Sequence, residues 1–271
     1  MNEINKGRLE NYLKRHINNF KKYKFLLGEL VRKGITLKYR HSYLGILWTL
    51  IEPLLTMIVL TVVFGTLLNK SKDNTFPVYI LSGRLMYSFF SNSTKVAMKS
   101  IRSNSSMIKK VYVPKYMYPL SCILSDYITF LISLIVLTVV AMVLRVWPTI
   151  YLVQAIIPLL ILPFMSYGIG LILATFSVFF RDLEYIWSVV LMLIMYTSAI
   201  FYEPAKIIKA GYGWLLEINP LYSVIANFRN AIFGQMLDTR ALTLSIIYSL
   251  GFMFVGIIIF YKKQDEFILH V

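Results

Sequence analysis

The sequence predicts an all-α integral membrane protein: six transmembrane helices, an N-terminal amphipathic interface helix, and re-entrant helices before the last span. Three observations carry that reading. Hydrophobic residues make up 58% of the 271-residue chain and the mean hydropathy is +0.66, both high for a water-soluble domain. Apolar runs of bilayer length recur along the chain. Lysine and arginine collect in alternate connections between those runs.

The first run, 46–68, has 23 residues and one ionisable side chain, Glu52. At 1.5 Å per residue that length crosses a hydrocarbon core of about 30 Å. Further spans are expected near 76–98, 117–144, 151–180, 183–201 and 242–261. Arg84, Lys95 and a run of serines interrupt the second, and the long fourth carries Pro158 and Pro163, which are expected to kink it. An even number of crossings puts both termini on one side. The stretch to Gly45 holds 11 Lys and Arg and the 99–117 loop five, against seven in all the opposite loops, so that side is cytoplasmic.

Two regions result, a cytoplasmic interface helix and gate segment over 1–45 and a six-span transmembrane domain over 46–271. Within the first, Leu9, Leu13, Ile17, Phe20, Tyr23, Leu27 and Leu30 recur at steps of three or four, while Lys14, Arg15, Lys21 and Lys22 fall mostly elsewhere around the helix. Such a helix lies along an anionic inner leaflet. Gly34 and the polar stretch 36–42 are expected to turn the chain into the first span. No short apolar region with a small-residue cleavage site opens the chain, so the first span is expected to serve as its own insertion signal.

Between the last two spans, 202–240 holds the apolar patches WLLEI and LYSVIANFRNAIF, separated by Asn219-Pro220. The second patch is 13 residues, about 20 Å as a helix, too short to cross. A helical hairpin at the outer mouth of a pathway fits, because broken backbone at membrane depth is tolerated where protein or water covers it.

Basic residues lie between apolar runs instead of forming one patch, which argues against a nucleic-acid partner. His16, His41 and His270 are far apart, the lone Cys122 sits in an apolar segment, and no zinc-protease, nucleophile-elbow or D-x-D motif occurs. No catalytic or metal-binding residue is therefore expected. The chain also lacks a phosphate loop, so any ATP is bound by another polypeptide.

Three stretches, LKYRHSYLGILWTLIEPLLTMIVLTVVFGTLL, FSVFFRDLEYIWSVVLMLIMYTSAIFYEPAKI and INPLYSVIANFRNAIFG, resemble the permease subunits of type-2 ABC exporters for lipid-linked polysaccharide, such as teichoic acid and O-antigen exporters. The resemblance runs through nearly the whole chain. One departure is Ser198-Ala199-Ile200, where the family usually has Ser-Pro-Ile. The resemblance implies a homodimer in the bacterial cytoplasmic membrane with two copies of a separate cytoplasmic ABC ATPase. ATP and magnesium would be held there and no cofactor by this chain. It further implies a polyprenyl-diphosphate-linked glycan as substrate, threaded outward along the dimer axis. The alternative reading is an ABC permease for a drug, peptide or lipid without a long glycan; from other classes, a membrane-embedded glycosyl or phosphoglycosyl transferase or a scaffold.

Against that background Lys38, Arg40 and His41 are expected to meet the carrier's diphosphate at the inner interface, since guanidinium forks suit phosphate oxygens. Tyr39, Tyr43 and Trp48 offer flat faces to sugar rings, and Glu52-Pro53 is expected to break or bend the helix behind this gate. Tyr196, Phe201 and Tyr202 are candidate channel-lining residues near the outer end of the fifth span. An ATPase-coupling helix is placed at about 105–116, with Met107, Ile108, Lys109, Lys110, Val111, Tyr112 and Val113 before the stop signal of Pro114. Glu52, Arg84 and Asp126 are expected to face protein or water, because Arg or Asp facing lipid at mid-depth costs about 2.5–3.5 kcal/mol. Arg181-Asp182 marks a tight inside turn, and Glu184 favours the start of the next helix.

Overall fold

Helices fill the computed structural model, which describes residues 23–40, 42–67, 74–110 and 113–267, and no β-strand occurs among them. In chain order they are α1 (Lys24–Tyr39), α2 (Trp48–Leu67), α3 (Phe76–Ser103), α4 (Ser105–Lys110), α5 (Met117–Val143), α6 (Ile156–Phe179), α7 (Leu183–Thr197), α8 (Pro204–Lys209), α9 (Gly213–Ile218), α10 (Pro220–Ile232) and α11 (Thr239–Lys263). Short 3-10 turns precede α2 at Gly45–Leu47 and α6 at Ile150–Ala155.

Four stretches are long and apolar enough to cross a membrane: Gly45–Leu67, Met117–Val143, Ile150–Phe179 and Thr239–Glu266. The other two predicted spans differ for physical reasons. Helix α3 has 28 residues, ample length, but carries Arg84, Lys95, Lys99 and Arg102. It stands at the centre of the bundle against α5 and α6, so most of its serines and threonines are buried in protein. Helix α7 has 15 residues, about 22 Å, and stops at Thr197 instead of continuing to Phe201. Ala199 takes φ 49°, a left-handed conformation that ends a helix.

Prolines inside α2 and α6 are accommodated by α5. Pro53 cannot donate to the Thr49 carbonyl four residues back, and that carbonyl instead accepts from Ser133 Oγ at 3.1 Å. Pro163 likewise frees the Leu159 carbonyl, which accepts from Tyr127 Oη at 3.1 Å. Both acceptors are satisfied by hydroxyls of one neighbouring helix, as a medium without water requires. The expected break at Glu52-Pro53 is therefore absent: α2 runs unbroken through Pro53, and the irregular turn lies before it, where Gly45 has φ 50°. Pro158 falls in the first turn of α6, where no helical donor is needed.

Two close approaches fix the packing. Helices α6 and α11 meet where Gly168 and Gly256 face each other, and a Cβ at Gly168 would collide with the backbone of Phe252 and Met253. Small residues at such crossings let membrane helices touch backbone to backbone. The amphipathic N-terminal pattern continues in α1, whose Leu27 and Leu30 are buried against α5 while Lys24, Arg32 and Lys33 are exposed; its first repeats, 9–22, lie outside the described residues. Gly34 does not turn the chain, as the helix passes through it to Tyr39. Its missing side chain makes room for Ser125, whose Oγ donates to the Val31 carbonyl at 3.1 Å.

The proline arrangement makes a quantitative prediction. Ser133→Ala destabilises the chain by about 1 kcal/mol by stranding the Thr49 carbonyl, and Pro53→Ala removes most of that loss by restoring a helical N–H. Thermal unfolding of the two single variants and the double variant in nanodiscs measures the coupling. Additive effects refute the pairing.

Candidate functional site

A cleft of about 150 Å³ opens between the end of α1, the first half of α2, the middle of α3 and α5. Lys38 and Tyr39 come from α1; Trp48, Thr49, Glu52, Pro53 and Thr56 from α2. Helix α3 supplies Arg84, Leu85, Ser88, Phe89 and Asn92, and α5 supplies Asp126, Thr129, Phe130 and Ser133. The sets from α2, α3 and α5 repeat at three or four residues, the spacing of one helical face.

Lys38 Nζ lies 3.1 Å from Asp126 Oδ1, and the pair ties α1 to α5. Asp126 is only 8% exposed, and its second carboxylate oxygen has no hydrogen-bond partner. Arg84 lies 3.7 Å from Met195 Sδ and 5.6 Å from the Tyr87 ring; among the described residues no carboxylate pairs with it. Burial raises the Tyr39 phenol above its ordinary pKa, opposed by Lys38 and reinforced by Asp126 and Glu52. Phe89 and Phe130 approach with ring centroids 5.2 Å apart and form the apolar wall.

Four predicted gate residues thus share one cleft: Lys38, Tyr39, Trp48 and Glu52. Arg40 and Tyr43 do not line it; both are exposed on the turn between α1 and α2. His41 lies outside the described residues. The three charges Glu52, Arg84 and Asp126 all line the cleft. Sequence reasoning missed Ser88, Asn92 and Thr56. Their signal was the i, i+4 spacing 84–88–92 and 52–56, hidden because each lies in a run judged only by its apolarity.

A second cluster forms at the C-terminal end of α2. Phe201 is buried and stacks on Phe64 with centroids 4.8 Å apart, and the exposed Tyr196 ring lies 6.5 Å from Phe201. Tyr202 Oη donates to the Tyr196 carbonyl. The three channel candidates therefore belong to one unit, around the irregular backbone of 198–202.

Arg229, 5% exposed on α10, holds that backbone. Its guanidinium donates to the carbonyls of Ala199 at 2.9 Å, Tyr79 at 3.0 Å and Ile200 at 3.3 Å, and stacks 3.5 Å above the Tyr79 ring. Tyr79 Oη donates to the Ala199 and Tyr202 carbonyls at 2.9 and 2.8 Å. Gly83 is bare where a Cβ would collide with Arg229. Asn219 completes the clamp: its Nδ2 donates to the Ile194 carbonyl at 3.1 Å and to the hydroxyls of Thr197 and Ser198 at 2.8 Å. Its Oδ1 caps α10 through Leu221 N at 3.0 Å. The two patches of the 202–240 segment are α9 and α10, broken at Asn219-Pro220.

At the other end, α4 projects Lys109 and Lys110 into solvent while Met107 and Ile108 pack on the core. Val111 and Tyr112 lie outside the described residues, and Val113 is buried. Lys99, at 2.7 Å, and Arg102 both pair with Glu184, joining the C-terminal end of α3 to the start of α7. Lys115 donates to the Gln264 carbonyl; burial lowers its pKa, opposed by Asp265.

Removing the clamp has a graded outcome. Arg229→Leu removes a donor from three carbonyls, of which Ala199 keeps Tyr79 Oη and Tyr79 keeps Ser82 Oγ, and lowers stability by about 2 kcal/mol; Arg229→Lys falls between, and Ala199→Gly is neutral or stabilising because glycine adopts positive φ freely. Ala199→Pro is strongly destabilising, since proline is locked near φ −65°. Melting temperatures in lipid nanodiscs rank the four, and an Arg229→Leu protein as stable as the parent rules the clamp out.

Known proteins resemble the chain across most of its length. An O-antigen export system permease protein RfbA from Klebsiella pneumoniae is 29% identical over 246 residues, covering 89% of this chain and 93% of the relative. Another RfbA, from Myxococcus xanthus, is 28% identical over 257 residues, covering 93% and 98%. The polysialic acid transport protein KpsM of Escherichia coli is 23% identical over 255 residues, covering 93% and 98%. The family model for ABC-2 type transporters matches residues 26–233, from α1 through the clamp helix α10, and on that match the chain belongs to the ABC-2 type transporter family.

Proposed function

We propose that this chain is the membrane-spanning subunit of an ATP-driven exporter that moves polyprenyl-diphosphate-linked polysaccharide, of O-antigen or teichoic acid type, out across the bacterial cytoplasmic membrane. The observation that carries this is likeness over nearly full length to permeases named for O-antigen export and polysialic acid transport. The cleft supports it independently, because it combines aromatic walls with polar groups at membrane depth.

In this reading α2, α3, α5, α6, α7 and α11 make six crossings with both termini cytoplasmic, and 198–202 completes the short fifth. Helix α1 lies along the inner leaflet, and α8–α10 form the re-entrant outer mouth. Arg40 and His41 join Lys38 at the inner turn to receive the carrier's diphosphate, with Tyr43 beside them for the first sugars. The chain works as a homodimer. Exposed apolar faces on α2 (Leu55, Ile58, Val62) and α7 (Ile186, Val189, Leu193) provide surface for a second copy and for lipid. The glycan then passes between the copies, past Tyr196, Phe201 and Tyr202.

Neither chemistry nor a cofactor is assigned to this chain. Two copies of a cytoplasmic ABC ATPase hold ATP and magnesium and act through α4. Because Met107 and Ile108 anchor α4 to the core while Lys109 and Lys110 point outward, a force on its exposed face passes into α3 and, through Glu184, into α7. Closure of the ATPases moves the spans only if α4 makes different contacts in the two states.

Deleting the chain abolishes surface polysaccharide and leaves carrier-linked glycan inside the cell, read by extraction and immunoblotting. Arg40→Ala and Tyr43→Ala reduce export at least fivefold at normal membrane abundance; unaltered surface polysaccharide in the deletion defeats the export reading.

Reversing Lys109 and Lys110 to glutamate releases the ATPase or leaves its turnover insensitive to the permease. Co-purification and ATP hydrolysis in lipid measure both. Unchanged association together with unchanged transport removes α4 from the coupling path.

A further inference from the structure

Three helices turn polar stripes toward one cleft. On α3 the stripe is Arg84, Ser88 and Asn92; on α2, Glu52 and Thr56; on α5, Asp126 and Thr129. Eight residues separate Arg84 from Asn92, about 12 Å along the helix, so the lining runs through a large part of the membrane's half-thickness. Four of these side chains, Glu52, Thr56, Ser88 and Asn92, make no hydrogen bond to other described residues. Asp126 is buried, and its Oδ2 has no donor although its Oδ1 holds Lys38. A buried carboxylate oxygen left unmatched is costly unless a ligand or water supplies the donor.

The charges select the ligand. Lys38 and Arg84 are matched by Asp126 and Glu52, so the cleft is neutral overall, and an anionic headgroup entering it meets two carboxylates. An acyl chain would leave Asp126 Oδ2, Glu52, Ser88 and Asn92 without a partner. A hydroxylated ring answers all of them: its hydroxyls donate to Asp126 Oδ2 and Glu52, accept from Arg84 and Asn92, and its C–H face lies on Trp48 or Phe89.

We infer that this cleft is a sugar-ring subsite formed by a single copy of the chain, giving a dimer two such sites. The inference rests on the export reading and adds to it where a sugar is held and by which residues. It separates the deep stripe from the exposed turn of Arg40 and Tyr43, which faces the diphosphate. The side chains that fix the ring are Arg84, Asn92 and Asp126, and none of them repeats in the outer cluster.

The test uses the full transporter in native membranes. Ser88→Cys is introduced into a chain carrying Cys122→Ala, and alkylation by N-ethylmaleimide is timed without ATP. Two probes are added separately: short oligosaccharides cut from the surface polysaccharide of the same cells, and inorganic pyrophosphate. The oligosaccharides are expected to slow alkylation at least threefold and pyrophosphate to leave it unchanged, with Arg84→Gln and Asn92→Leu each removing the protection. Protection by pyrophosphate alone overturns the assignment in favour of a headgroup site, and protection by neither overturns it outright. Those results leave the export reading standing, since that fails only if deleting the chain spares surface polysaccharide.

Discussion

Carbonyl oxygens freed inside membrane helices must find donors within the protein, and α5 is built around that demand. Ser133 takes the oxygen released by Pro53 and Tyr127 the one released by Pro163, so one helix holds two proline-containing neighbours in register. Each bond is worth only about 1 kcal/mol net, yet an unmade one in hydrocarbon costs more. That asymmetry explains why prolines persist in α2 and α6 without breaking them. It also places α2 so that Trp48, Glu52 and Thr56 face α3 and α5 across the cleft.

The same rule governs the end of the bundle beyond α7 with different chemistry. There the backbone of 198–202 leaves regular helix while still buried, and its carbonyls are collected by the guanidinium of Arg229, the phenol of Tyr79 and, in the last turn of α7, the amide of Asn219. Arginine suits the position because its fork reaches three oxygens from two segments at once and its flat face stacks on Tyr79. Its positive charge is shared among carbonyl dipoles instead of being cancelled by an acid. The result ties α3, α7 and α10 together through buried hydrogen bonds.

The region around the cleft is held differently. The turn between α1 and α2 is exposed, the cleft is open, and the Lys38–Asp126 pair joins an exposed cation to a buried anion. Ion pairs of this sort rearrange more readily than a network of buried carbonyl bonds.

Length and apolarity alone determined the all-helical class, four of the crossings and the helical pieces α9 and α10, because these depend on local periodicity and on the thickness of a bilayer. Lys38, Tyr39, Trp48 and Glu52 were legible as a group because they crowd the start of one span. Tertiary structure decided the rest. Arg84 and the serines of α3 look unfavourable in a membrane run until α3 is seen at the centre of the bundle, where they face protein. Pro53 reads as a break until Ser133, 80 residues away, is found holding the Thr49 carbonyl. Arg229 reads as one more loop charge until Tyr79 and Ala199 come within reach of it. In each case a polar group's partner lies on another helix, and local sequence carries no record of which helices will meet.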